Sequence, residues 1–294
     1  MDNRFIGTGV AIITPFLNGK IDFDGLKKVT EHVIQGGVNY IVVLGSTGEA
    51  AMVDDSEAKA ILDYVIEVNN KRIPIVAGNF AGVNTSEICK KISSYDFDGV
   101  DALLIASPPY VKPSQAGLFD HYSTIAEASP LPIILYNVPG RTKSNMEWQT
   151  VVKLAQSNSK FIGIKEASGD MIQANKILMN KPDNFFIVSG DDETALPLLA
   201  LGGHGVISVI ANVFPKSFSG MIKAAISGNL TEARRLNNQT YNLHHHLYKE
   251  GNPVGVKAVA KLLGLCEDEV RLPLTSMTKE GYKSLINQVN NIKE

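Results

Sequence analysis

Three observations predict an α/β fold: a (β/α)8 TIM barrel with a C-terminal helical extension. Eight short apolar runs recur along the chain, amphipathic stretches separate them, and the runs stop near residue 228 while helical patterning continues. Strands alternating with helices form a parallel sheet, and eight such units close it into a barrel. The structural rival is a doubly wound open sheet, which usually carries a Gly-rich phosphate turn. No G-x-G-x-x-G occurs in this chain.

The runs expected as strands are 8–13, 40–44, 73–77, 100–105, 131–136, 161–165, 185–189 and 204–209. Each is rich in Val, Ile and Leu at successive positions, the mark of a strand covered on both faces. Between them lie helical stretches such as 24–35, 55–69 and 146–157, with Asp22, Asp54, Thr85 and Asn145 read as N-caps near helix starts. Residues 229–249, 253–264 and 277–292 read as helices. The expected organisation is therefore a barrel over 1–228 and a helical region packed on it over 229–294.

Composition narrows the function classes. The chain has 294 residues and a formal net charge of −2. It lacks the basic field that usually marks nucleic-acid binding. Cys89 and Cys266 lie far apart with no metal-ligand spacing, so neither a metal site nor a disulfide framework is expected. Two such cysteines fit a reducing cytoplasm. The N-terminus Met1-Asp2-Asn3-Arg4 lacks the apolar stretch of a signal peptide, and no apolar run is long enough to span a bilayer.

Catalytic groups of a barrel sit at the C-terminal ends of its strands. Along that rim the chain places Gly45-Ser46-Thr47-Gly48-Glu49 after the second run and Ser107-Pro108-Pro109-Tyr110 after the fourth. Tyr136-Asn137-Val138-Pro139-Gly140-Arg141-Thr142 follows at the fifth, Lys165 at the sixth, Ser189-Gly190-Asp191-Asp192 at the seventh, and Val206-Ile207-Ser208 at the eighth. Lys165 is the most informative of these. An amine at the exit of a buried strand is desolvated, which favours its neutral form, and a neutral amine can attack a ketone to form a Schiff base.

Each residue also has a plainer reading. Lys165 could snorkel from a strand end to solvent. Gly45-Ser46-Thr47-Gly48 could be an ordinary turn, or a nest of N–H groups and hydroxyls for a carboxylate. Tyr136 could be a core tyrosine or a proton relay beside the lysine. Arg141 could be a surface arginine or a bidentate carboxylate clamp. His244-His245-His246 reads as a partly solvated helix face, since adjacent helical residues point in different directions. Glu49 reads as a structural brace of its loop.

Taken together, GSTGE (45–49), YNVPGRT (136–142), GIKEASGD (163–170) and GGHGVISV (202–209) resemble the dihydrodipicolinate synthase / N-acetylneuraminate lyase family. The resemblance runs from about residue 5 to residue 290 without large gaps. The arginine after the proline in YNVPGRT marks the synthase branch, where it grips the carboxylate of aspartate semialdehyde; sialic-acid lyases generally lack it.

The resemblance implies a cytoplasmic lyase that condenses pyruvate with L-aspartate-4-semialdehyde, without metal or organic cofactor. It implies Lys165 as the Schiff-base lysine and Tyr136 as the tyrosine moving protons to and from it. Ser46 falls where the synthases usually have a threonine in the relay, and Tyr110 matches the relay tyrosine lent by a neighbouring subunit. Thr47 matches the ligand of the pyruvate carboxylate, and Arg141 the clamp on the second substrate. Gly190 and Ile207 match positions whose backbone carbonyls face pyruvate. The assembly implied is a homotetramer, a dimer of dimers.

Two departures from the pattern bear on regulation. Pro109 stands where many relatives have a second tyrosine, and Ala58 where a histidine often lines a lysine effector site; the loop 79–84 is one residue longer than usual. The rival readings are another pyruvate-dependent aldolase, such as an N-acetylneuraminate or 2-keto-3-deoxy sugar acid lyase, and a catalytically silent ligand-binding barrel. Arg141 speaks against the first; Lys165, Tyr136 and the hydroxyl at Ser46 speak against the second.

Overall fold

A computed structural model describes residues 1–290 and residue 292. Eight parallel strands form a closed barrel: β1 (Gly7–Ala11), β2 (Tyr40–Val43), β3 (Ile75–Ala77), β4 (Ala102–Ala106), β5 (Ile133–Asn137), β6 (Phe161–Glu166), β7 (Phe186–Ser189) and β8 (Gly205–Ser208). Each strand pairs with its sequence neighbours, and β1 closes the ring by pairing with both β8 and β2. A helix follows each strand: α1 (Phe23–Gln35), α2 (Asp55–Asn69), α3 (Thr85–Ser94), α4 (Gln115–Ala128), α5 (Trp148–Ser157), α6 (Met171–Asn180), α7 (Ala195–Ala200) and α8 (Pro215–Ile226). Then come α9 (Leu230–Tyr248), α10 (Val254–Leu262) and α11 (Lys279–Val289). Position 291 of the expected last helix lies outside the described residues.

Strand alternation sorts the core into two layers. Tyr40, Val42, Leu104, Ile134, Tyr136, Phe186 and Val188 fill the barrel, while Ile41, Val43, Leu103, Ile105, Leu135 and Ile187 face the helices. Phe5 plugs the end where the strands begin, edge-on to Tyr40 with centroids 5.5 Å apart. The register shifts between Ile133 and Ile134, after which Tyr136 pairs with Lys165 and Asn137 with Glu166. Gly163 is what lets Phe186 fill this layer: a Cβ there would lie 2.3 Å from its ring.

Several local expectations shift. The first strand leaves the ladder after Ala11, and the Asn212 side chain takes over, its Oδ1 accepting from the Ile13 N–H at 3.0 Å. A short hairpin, Phe16–Leu17 with Lys20–Ile21, turns through Asn18 and Gly19, both at positive φ. Asp22 and Asp54 cap α1 and α2, the latter through a capping box with Glu57. Thr85 is the first helical residue, not the cap. Asn84 accepts from the Glu87 N–H, and Thr85 Oγ1 is 2.8 Å from His121 Nδ1. Asn145 does not cap α5, because its amide is spent on Asn137 and Gln173, at 2.8 and 3.1 Å. The three histidines of α9 also divide: His245 is exposed, whereas His244 is buried among Phe218 and Tyr241. No metal-binding cluster occurs among the described residues.

The C-terminal helices are fastened to the loop after β2. α10 is buried at every position from Val254 to Ala260, and its Lys257 forms a fully buried ion pair with Glu49. Lys257 also donates to the Glu269 carbonyl at 2.7 Å, and Glu49 accepts from the Arg271 N–H at 3.0 Å. Arg271 makes a bidentate pair with Glu57, at 2.5 and 2.7 Å. Phe16 lies against both cations, 4.3 Å from Lys257 Nζ and 4.4 Å from Arg271 Cζ. Glu269 reaches the hairpin turn, accepting from the N–H groups of Asn18 and Gly19. Glu49 thus braces its loop as expected, through a partner outside the barrel.

Removing one member of a buried pair strands the other charge, at a cost of about 3–5 kcal/mol. Lys257→Met is expected to lower stability by that order in a denaturant titration, and adding Glu49→Gln to recover part of the loss. A single variant within about 1 kcal/mol of wild type would show that the pair does not hold the helical region down.

Candidate active site

Two adjoining cavities open where the strands end. The larger, about 460 Å³, is lined by Gly45, Ser46, Asn79, Leu104, Ser107, Pro109, Tyr136, Val138, Arg141, Thr142 and Asn252, among others. The smaller, about 120 Å³, is lined by Ser46, Thr47, Tyr136, Val138, Arg141, Lys165, Ala167, Gly190, Asp191, Val209, Tyr248 and Asn252. Six residues singled out from the sequence therefore share the smaller cavity: Ser46, Thr47, Tyr136, Arg141, Lys165 and Gly190.

Lys165 reaches this cavity because β6 points it inward. Its neighbour Glu166 points the other way, into a buried polar network, accepting from Asn137 Nδ2 at 3.0 Å, Gln173 Nε2 at 3.0 Å and the Ser168 N–H at 2.7 Å. Burial pushes the Glu166 carboxyl up from its ordinary value, against the pull of these donors. Lys165 is 5% exposed, and its Nζ stands 4.4 Å from the centre of the Tyr136 ring. Among the described residues no carboxylate lies within ion-pair distance of it. Gly190 leaves it room: a Cβ there would sit 3.1 Å from Lys165 Cε and 2.5 Å from Ala167 Cβ.

The Gly45–Gly48 loop can serve as a nest for an anion, because two of its N–H groups are free among the described residues. The N–H groups of Gly48 and Ala50 both fold back on the Gly45 carbonyl, at 3.0 and 3.4 Å, and Glu49 N–H bonds the Ser46 carbonyl at 3.2 Å. The amides of Ser46 and Thr47 have no acceptor among the described residues. Donors so placed in a cavity wall suit a carboxylate. Thr47 is buried, its hydroxyl accepting from Asn252 Nδ2 at 3.0 Å.

Arg141 sits on a single helical turn, Pro139–Thr142, exposed at the mouth of both cavities. Behind it Thr142 hydrogen-bonds the Val138 carbonyl at 3.2 Å and pairs with Ser107 at 3.3 Å, fixing the turn. The Arg141 guanidinium forms no ion pair with another described residue.

Two residues lie apart. Tyr110 is 90% exposed, lines neither cavity and adopts a positive φ, 71°, with its N–H donating to the Thr142 carbonyl. Ile207 is buried in the barrel interior beside Tyr136 but lies outside both cavity walls. No hydrogen bond links Ser46 to Tyr136 among the described residues, although both line the cavities. Of the two departures noted in the sequence, Pro109 lines the larger cavity and Ala58 is buried in the core.

Asn252, Tyr248 and Asp191 complete the smaller cavity, and sequence reasoning gave none of them a role. Asp191 stood next to Gly190 on the strand-seven rim, which was signal enough. Asn252 and Tyr248 come from the α9–α10 junction, and only the docking of those helices brings them to the rim.

The whole constellation is a buried amine free of carboxylate partners, a phenol against it, an anion nest beside it and a guanidinium at the mouth. Such a set can form an imine with a small keto acid and hold a second carboxylate nearby.

A family model described as the dihydrodipicolinate synthetase family matches residues 4–292. A relative from Cytophaga hutchinsonii, named 4-hydroxy-tetrahydrodipicolinate synthase, is 46% identical over 279 residues, covering 95% of this chain and 93% of the relative. A crystal structure of the chloride-inhibited dihydrodipicolinate synthase of Acinetobacter baumannii, complexed with pyruvate, superposes with a TM-score of 0.93 at 40% identity, covering 97% of this chain and 98% of that one. A structure described as the first monomeric dihydrodipicolinate synthase variant superposes with a TM-score of 0.95 at 34% identity, covering 98% and 97%.

Proposed function

The chain belongs to the dihydrodipicolinate synthetase family, and from that membership we propose that it is a lyase condensing pyruvate with L-aspartate-4-semialdehyde to give 4-hydroxy-tetrahydrodipicolinate, in lysine and diaminopimelate biosynthesis. The observation that carries the reading is Lys165: a buried amine beside a phenol and free backbone donors, with no carboxylate within ion-pair distance among the described residues.

Lys165 attacks the ketone of pyruvate, and loss of water leaves the imine. Thr47 and the free amides of the nest hold the pyruvate carboxylate. Tyr136, its ring against the amine, takes up and returns the protons. The protonated imine draws electrons from the methyl group, which loses a proton and becomes an enamine. That carbon bonds to the aldehyde carbon of the second substrate, whose carboxylate Arg141 clamps. The amine of the second substrate then displaces Lys165, closing the ring and restoring the enzyme. Ser46 stands in the relay, and the backbone carbonyls of Gly190 and Ile207 face pyruvate. No metal or organic cofactor takes part in this scheme.

The relay is completed in the assembly. In this scheme Tyr110 enters a neighbour's site; its near-complete exposure and its absence from its own cavities support that role. We propose a homotetramer, a dimer of dimers; exposed Ile172 and Met179, at 70% and 76%, supply apolar surface for further contacts. No helix of the described residues is long and apolar enough to cross a membrane. A cytoplasmic location is part of the proposal.

Three measurements test this scheme. Borohydride reduction with pyruvate is expected to add a lactyl-sized mass to the peptide containing Lys165, and Lys165→Arg to abolish it, since a guanidinium offers no free amine. Trapping that persisted in the arginine variant would place the imine elsewhere. Arg141→Ala is expected to raise KM for aspartate semialdehyde by roughly tenfold to a hundredfold, the worth of a charge-assisted bidentate contact. Its KM for pyruvate is expected to change little; equal effects on both substrates would remove Arg141 from the proposed role. Tyr110→Phe is expected to lower kcat while pyruvate trapping survives. A fully active monomer in sedimentation under assay conditions would contradict a shared site.

A further inference from the structure

The smaller cavity is lined by two basic side chains, Arg141 and Lys165, and one carboxylate, Asp191. The proposed chemistry uses the basic groups and leaves the carboxylate without a task. Its neighbour Asp192 lies outside that lining: Asp192 is buried, its Oδ2 accepts from the N–H groups of Val209 and Ile210, at 3.0 and 2.9 Å, and its Oδ1 has no donor among the described residues. Asp191 is held differently. Its Oδ1 accepts from the Glu193 N–H at 3.0 Å and its main-chain carbonyl from Ser189 Oγ at 2.6 Å, while Oδ2 has no donor among the described residues.

Two more polar residues line the same cavity. Asn252 spends its Nδ2 on Thr47. Tyr248, 37% exposed as a whole, has no hydrogen bond among the described residues. Burial of its hydroxyl end, then Asp192, Asp191 and Tyr136, push the phenol up, and Arg141 pulls it down.

We propose that Asp191 and Tyr248 form the seat of the α-ammonium group of the second substrate, selecting an amino semialdehyde over its deaminated analogue. The inference rests on the functional reading above and extends it. In an α-amino acid the ammonium is one carbon away from the carboxylate, so its seat must adjoin Arg141, and both residues share a cavity of about 120 Å³ with that arginine. An ammonium carries three N–H donors, and among the described residues neither Asp191 Oδ2 nor the Tyr248 hydroxyl has a donor of its own. Asp191 also offsets the repulsion between that ammonium and the protonated imine on Lys165. Burial and Asp192 push the Asp191 carboxyl up, while the Glu193 N–H, His244 and Lys165 pull it down.

Purified full-length Asp191→Asn and Tyr248→Phe test this, with succinate semialdehyde as the probe: it keeps the aldehyde and carboxylate and lacks the amine. In wild type, aspartate semialdehyde is expected to compete strongly over succinate semialdehyde. In Asp191→Asn, KM for aspartate semialdehyde should rise roughly tenfold or more. The affinity for succinate semialdehyde should stay within about twofold, so the preference collapses. Tyr248→Phe should show the same pattern at about three- to fivefold. Pyruvate KM and borohydride trapping should hold in both variants, which also reports that they fold. An unchanged preference in Asp191→Asn overturns the seat, as does an equal loss toward both semialdehydes or toward pyruvate. A wild-type protein that traps pyruvate but does not condense aspartate semialdehyde overturns the functional reading itself, and the seat with it.

Discussion

The buried ion pair between Glu49 and Lys257 is the contact on which the arrangement of the rim depends. It joins the loop after β2 to α10, and two charges without solvent persist only when both are satisfied. Glu49 is satisfied by Lys257 and the Arg271 amide, Lys257 by Glu49 and the Glu269 carbonyl. From that anchor the rest follows in space. Asn252, five residues before Lys257, is brought to Thr47, and Tyr248 to the wall of the small cavity. A barrel alone would leave the nest at 45–48 open on that side.

Contrasting the two buried lysines among the described residues shows how position decides chemistry. Lys257 is fully buried and paired, so its charge is spent on holding the helical region. Lys165 is nearly as buried, yet it faces a cavity, with a tyrosine ring instead of a carboxylate as its neighbour. A lysine locked in an ion pair is a poor nucleophile; one held against an uncharged ring beside an anion nest has the setting for covalent chemistry. The register shift in β5 matters here, because it sets which residue of β6 stands beside Tyr136. One step out of register would pair Tyr136 with a neighbour of Lys165 and turn the amine to the other face.

Asp191 and Asp192 repeat the division on a smaller scale. Adjacent residues at a strand exit diverge, and here one carboxylate caps the backbone at 209–210 while the other turns to the cavity. Polar pairs at a barrel rim can thus divide between holding the scaffold and meeting a ligand, and which of them lines the cavity tells the two apart.

The sequence by itself determined the barrel and much of its rim. Eight apolar runs with helical stretches between them leave little room for another topology, and strand ends are where a barrel exposes chemistry. Lys165, Tyr136, Thr47 and Arg141 were therefore legible as a group, and all four share one cavity. Some signals were present and unused, such as Asn18-Gly19, a hairpin turn on its face. Others misled because a side chain had a better partner: Asn145 reads as a cap, but it bonds to Asn137 and Gln173. Only the tertiary structure decided the far wall. Lys257, Asn252 and Tyr248 lie in or beside helices with no periodic mark of function. Lys257 meets Glu49 and Asn252 meets Thr47 across some 200 residues of sequence, and Tyr248 joins Asp191 in one cavity wall, because the C-terminal region folds back over the barrel. Local patterning records which face of an element is buried; it does not record which distant element buries it.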